Sequence, residues 1–114
     1  MSQPNCIFCK IASGEIPSAK VFENAEFVAI RDIQPQAKVH LLVIPKTHVE
    51  CLDSEGSADI NASILNTAVV VARKEGLATN GFRVVVNTRE WGGQTVSHLH
   101  LHILGGEQLR GRFA

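Results

Sequence analysis

The stretch His98-Leu99-His100-Leu101-His102-Ile103 alternates imidazole with aliphatic side chains without a break. Alternation is the period of an extended strand. His98, His100 and His102 therefore share one face, and Leu99, Leu101 and Ile103 enter a core from the other. The chain has five histidines in 114 residues, and three of them are spent here. An ordinary half-exposed strand accounts poorly for that concentration. Two chemistries account for it better. Histidines two apart on a strand can bind a catalytic zinc. Alternatively, one imidazole is a nucleophile supported by its neighbours, since at neutral pH the ring is substantially uncharged and can attack phosphorus. Gly92-Gly93-Gln94-Thr95, just before the strand, offers close backbone approach, N–H groups and a hydroxyl. Such a loop can hold phosphate oxygens without lysine. It fits phosphoryl or nucleotidyl transfer, and a zinc hydrolase leaves it unexplained.

Lys plus Arg and Asp plus Glu number 11 each, so the formal net charge is zero. That balance argues against a basic face for polymeric nucleic acid or an anionic membrane. Hydrophobic residues make up 45% and charged residues 19%, a globular composition in which residues 1–114 read as one domain. No apolar run approaches the roughly 20 residues of a membrane span, and MSQPNC lacks a basic-then-apolar leader. Three cysteines, an odd and sparse count, favour a reducing cytoplasm.

Residues 5–12 read as a short helix stopped near Gly14, and 20–23 and 26–32 as strands about the turn residues Asn24 and Ala25. A strand is expected over 39–45 and the one long helix over 57–75, closed by Gly76. Its apolar positions, including Ile64, Leu65, Ala68, Val69 and Val71, cover more than one core stripe. Deep packing or a second buried face against a partner subunit would explain the excess. Strands over 82–87 and 98–104 flank a polar loop holding Trp91. Short connections and the excess of strands favour an antiparallel α+β fold.

The pattern His-apolar-His-apolar-His-apolar-apolar resembles the signature of the histidine triad superfamily. Cys6-Ile7-Phe8-Cys9-Lys10-Ile11, Arg31-Asp32-Ile33-Gln34-Pro35-Gln36, His40-Leu41-Leu42-Val43-Ile44-Pro45-Lys46 and Gly92-Gly93-Gln94-Thr95-Val96 extend the likeness over nearly the whole chain. Together they resemble the Hint branch, the nucleoside phosphoramidate hydrolases. The resemblance implies an antiparallel sheet of about five strands with one long and one short helix, pairing into a homodimer with a larger sheet. It implies that His100 attacks the phosphorus of a purine nucleoside 5′-phosphoramidate, forming a nucleotidyl-histidine that water resolves. His102 and His98 would orient the nucleophile or bind phosphate oxygens, and His40 would approach from the neighbouring strand. Thr95 would serve the leaving nitrogen and Asp32 the ribose hydroxyls. Ile33, Phe8, Ile11 and Ile30 would make a slot for the base. Asn87 and the backbones of Gly93 and Gln94 would complete the phosphate cradle. No cofactor is implied for catalysis. Dinucleoside polyphosphate hydrolysis, and a nucleotide-binding adaptor with incidental turnover, are the competing functions.

Cys6-x-x-Cys9 by itself fits half of a zinc site or a thiol redox pair, and buried free thiols are a third reading. Some triad-family members bind a structural zinc through such a pair, with positions matching His48 and His98 as the other ligands. Better-known Hint-type tails place an aromatic where this chain has Gly111, while Phe113 arrives two residues later.

Overall fold

The computed structural model describes residues 3–111, which leaves Phe113 outside the described residues. Two helices and five strands follow one another as α1 (Ile7–Ser13), β1 (Lys20–Glu23), β2 (Phe27–Arg31), β3 (Val39–Pro45), α2 (Ala58–Lys74), β4 (Arg83–Val85) and β5 (Leu101–Gly105). A 3-10 turn, Glu90–Gly92, lies in the loop before β5. The strands form one antiparallel sheet in the order β1-β2-β3-β5-β4, the α+β architecture expected from the sequence.

Local chemistry sets the element ends. The Cys6 sulfur accepts the Cys9 N–H at the start of α1, and Gly14 closes the helix with φ +86° and its own N–H on Ile11 O. Asn24 Oδ1 accepts the Glu26 and Phe27 N–H groups at 2.9 and 2.7 Å, turning β1 into β2.

Both faces of the sheet centre are covered. Phe27, Ala29, Leu41, Val43, Leu101 and Ile103 pack on one face against Ile64, Ala68, Val71 and Ala72 of α2. Val28, Ile30, Leu42 and Ile44 pack on the other against Phe8, Ile11 and Ala12 of α1. Burial on both sides explains why β2 and β3 are continuous apolar runs. β5 is buried on the α2 face through Leu101 and Ile103, which turns His102 toward the α1 face.

The strand expected over 98–104 begins only at Leu101. Extending the β3–β5 register beyond Val43↔Leu101 would set Leu99 opposite Pro45. Proline has no N–H for the ladder. The Pro45 carbonyl is taken by His98 Nε2–H at 2.8 Å, while the Leu99 N–H turns to Val49 O at 2.6 Å. Residues 98–100 are thus held beside the sheet and not by it. β4 is likewise shorter than expected, with Phe82 and Val86 packed beyond its ends.

Candidate active site

The imidazoles are ordered by partners that fix which ring nitrogen carries the proton. His100 is 5% exposed, and its Nδ1–H donates to the His98 carbonyl at 2.8 Å. Nε2 of His100 therefore keeps its lone pair. Burial lowers the pKa of His100, against opposing effects of that hydrogen bond and the Asp32 charge. His102 is pulled to about 4 by burial, then by the charges of His100 and His40. Burial likewise takes His98 to about 4. All three rings are neutral at pH 7.

His40, on β3, is 6% exposed. Its Nδ1 accepts the Gln36 backbone N–H at 3.0 Å, so its proton sits on Nε2. That Nε2–H lies 2.9 Å from His102 Nδ1 and 3.4 Å from Asp32 Oδ2. His102 accepts at Nδ1 and so carries its own proton at Nε2. The chain of tautomers gives His100 a free electron pair and its neighbour a donor N–H, with ring centroids 5.2 Å apart. Lone pair for phosphorus and donor for a phosphoryl oxygen are what a nucleotidyl transfer needs side by side. Asp32, His40 and His102 also fall within metal-binding distance of one another. The proton on His40 Nε2 opposes a cation there.

His40, His102 and Asn87 line an open cavity of about 550 Å3. Asp32 spends Oδ1 on the Gln34 N–H at 2.8 Å and turns Oδ2 toward His40. Phe8, Ile11 and Ile30 are 5–8% exposed and belong to the core under α1, whereas Ile33 is 94% exposed. Ile33 follows β2 into the turn that Asp32 caps, which leaves its side chain in solvent. Phe8 instead meets His100 edge-on, with centroids 5.0 Å apart.

The loop departs from expectation in one respect. The Gly93 and Gln94 N–H groups donate to Glu90 O and Arg89 O, both at 3.0 Å, because the 3-10 turn folds the chain back onto these carbonyls. They do not present a free phosphate cradle in this conformation. Gln94 contributes through its side chain, donating to Glu50 O and Val96 O and accepting the Arg89 N–H. Asn87 Nδ2 donates to Gly92 O at 2.7 Å. Thr95 is exposed. Arg89 holds φ +58° and ψ −174°, a region that favours glycine, so this turn carries backbone strain. Sequence reasoning missed the Gln36 N–H and the Pro45 and His98 carbonyls, since any residue carries such groups.

A second cluster lies beside the first. Cys6, Cys9, His48 and His98 bring one donor atom each within 4.8 Å of one another. His98 Nδ1 is 3.2 Å from Cys6 Sγ, 3.5 Å from Cys9 Sγ and 3.2 Å from His48 Nδ1, and Cys9 Sγ is 3.3 Å from His48 Nδ1. Tetrahedral zinc, with bonds of about 2.0–2.1 Å to nitrogen and about 2.3 Å to sulfur, requires edges of roughly 3.3–3.8 Å. The spacing fits. His98 Nε2–H is committed to Pro45, which aims the Nδ1 lone pair into the cluster, and the two sulfurs accept the N–H groups of Cys9 and Gln3. A zinc ion held here would tie α1 to the segments that follow β3 and precede β5.

The family model described as HIT domain matches residues 13–109. The chain belongs to the HIT-domain family. This HIT-domain chain is 47% identical over 107 residues to the adenylylsulfatase HINT1 of Arabidopsis thaliana, covering 90% of this chain and 72% of that protein. It is 45% identical over 107 residues to a 14 kDa zinc-binding protein of Brassica juncea, covering 90% and 94% of the two. It is 39% identical over 105 residues to the purine nucleoside phosphoramidase of Escherichia coli K12, covering 90% and 88%. Among solved structures, a histidine triad protein from Clostridium difficile superposes with a TM-score of 0.94 at 43% identity, covering 99% of this chain and all of that one.

Proposed function

We propose that this HIT-domain protein hydrolyses purine nucleoside 5′-phosphoramidates through a nucleotidyl-His100 intermediate. The reading is carried by the hydrogen bond from His100 Nδ1–H to the His98 carbonyl, which leaves Nε2 with the lone pair of a nucleophile. In the first step that pair forms an N–P bond as the P–N bond to the amine breaks. The departing nitrogen takes a proton, for which the Thr95 hydroxyl is the proposed donor. Water then attacks phosphorus as the N–P bond to His100 breaks, the proton it sheds returns to Thr95, and the nucleoside monophosphate leaves with His100 neutral again. The Nε2–H of His102 stabilises the charge on the phosphoryl oxygens in both steps. Asp32 is assigned to the ribose hydroxyls. Asn87, Gly93 and Gln94 are assigned to the phosphate, which takes the two loop N–H groups if the turn at Glu90 opens.

The relative named for purine nucleoside phosphoramidase activity supports the P–N substrate. The relative named adenylylsulfatase favours a second reading with the same first step, in which sulfate leaves instead of an amine. The zinc-binding relative and the donor spacing support a structural zinc on Cys6, Cys9, His48 and His98. A cytoplasmic homodimer completes the proposal. No helix among the described residues is long and apolar enough to cross a membrane.

The experiment is turnover of adenosine 5′-phosphoramidate, adenylyl sulfate and a dinucleoside polyphosphate by the wild type and His100→Asn. The phosphoramidate is expected to turn over fastest, with a loss of about three orders of magnitude or more in the variant. Quenched wild type should carry adenylyl mass on His100. Undiminished turnover in His100→Asn would sink the mechanism, and faster release from adenylyl sulfate would reassign the substrate.

A further inference from the structure

His98 belongs to both clusters. Its Nδ1 enters the Cys6–Cys9–His48 set, its Nε2–H is tied to Pro45, and its carbonyl receives the His100 Nδ1–H at 2.8 Å. Phe8 also spans the two. It lies on α1 between the two cysteines and meets His98 and His100 edge-on, at centroid separations of 5.9 and 5.0 Å and interplanar angles of 82° and 74°. Two supports of the His100 ring, a carbonyl and an aromatic edge, thus come from residues within or flanked by the metal-ligand set, while a third ring, His102, packs on it at 5.2 Å from β5.

The sheet does not supply the missing rigidity. β5 begins at Leu101, so residues 98–100 lie outside the ladder, and the Leu99 N–H to Val49 O bond is their one backbone tie among the described hydrogen bonds. Val49 itself follows the proposed ligand His48.

We propose that the Cys6–Cys9–His48–His98 cluster, loaded with zinc, is the positioning device of His100. It holds the His98 carbonyl and the Phe8 ring where they fix the Nδ1–H tautomer and aim Nε2. His98 and His48 are positioning residues, acting through another group. The inference rests on the reading of His100 as nucleophile, and a displacement of about 1 Å at such a group can cost on the order of a hundredfold in rate.

The test compares zinc-loaded full-length protein with protein stripped by a chelator and with protein reloaded with zinc. On stripping, kcat is expected to fall about tenfold to a hundredfold while KM moves less than about threefold, with recovery on reloading. His48→Ala should behave as the stripped protein. His48→Cys, which retains four donors, should keep both zinc and kcat. Nitrogen NMR of the His100 ring supplies a readout independent of turnover. A single Nδ1–H tautomer is expected with zinc, and a mixture without it.

If stripping unfolds the protein, cobalt in place of zinc decides: its visible absorption should shift when AMP fills the site. An unchanged His100 signal on stripping, an unmoved cobalt band, or failure to take up zinc would overturn the proposal. Loss of the tautomer on stripping in a protein that cleaves no phosphoramidate even when loaded would retain the positioning and discard the proposed function.

Discussion

Each imidazole of the site owes its tautomer to a neighbour that satisfies only one ring nitrogen. His40 receives an N–H from Gln36, His102 receives one from His40, and His100 gives one to a carbonyl. Burial keeps His100 and His102 uncharged, and that has a consequence for stability. A histidine of ordinary pKa 6.5 titrates in the unfolded chain well above the value of about 4 that His102 has in the fold. Between these values the unfolded state binds more protons, so acidification favours unfolding. The melting temperature is expected to fall as pH drops from 6.5 toward 4, and less steeply in His102→Gln than in wild type. Equal slopes in the two proteins would remove His102 as a cause. The alternation of 98–103 made the three imidazoles legible as a group, and only the family resemblance made His40 a neighbour. The division of labour was not legible, because it depends on backbone groups of Gln36, Pro45 and His98 that carry no residue-specific signal. Ile33 shows the converse. The family resemblance, not its own chemistry, placed it in a slot for the base, and a turn fixed by Asp32 leaves its side chain in solvent.

β3 carries the site between two cores; the sequence announces the strand 39–45, and its unbroken run Leu41-Leu42-Val43-Ile44 meets burial on both faces. Leu41 faces α2 and Leu42 faces α1, at 0% and 7% exposure. Leu41→Ala and Leu42→Ala are therefore each expected to cost about 2–5 kcal/mol in urea denaturation, as large-to-small changes in closed cores do. A near-neutral Leu42→Ala would mean that α1 does not seal the second face. The end of β5 was harder to read, since alternation continues through 98 while pairing stops at 101. Proline at the matching position of β3 ends the ladder, and that conflict appears only once the register is known. The polar loop posed the same difficulty. Its glycines announced a turn, but which carbonyls would claim the Gly93 and Gln94 N–H groups depends on the 3-10 geometry.

At the scale of the molecule, the excess of apolar residues on α2 divides in two. Ile64, Ala68, Val71 and Ala72 are buried on the sheet, while Leu65, Val69 and Val70 are 38–53% exposed. Val84 of the edge strand β4 is 36% exposed, and its register opposite Ile103 puts it on the same face of the sheet as α2. An apolar helix flank and an unpaired strand edge on one side of the sheet invite a second copy, and a two-fold axis perpendicular to the sheet at the β4 edge would pair two β4 strands antiparallel and join two five-stranded sheets into one. Light scattering on the full chain is expected to give twice the protomer mass at micromolar concentration. Val69→Asp, which sets a charge in that flank without touching the core, should yield a folded monomer. A wild type of single-protomer mass would dismiss the dimer, and a variant that stays dimeric would move the interface off α2. The same pair of proteins separates assembly from chemistry. If the tautomer chain is complete within one protomer, monomeric Val69→Asp keeps its adenylyl-His100 intermediate, whereas loss of that intermediate would show that the partner contributes to the site.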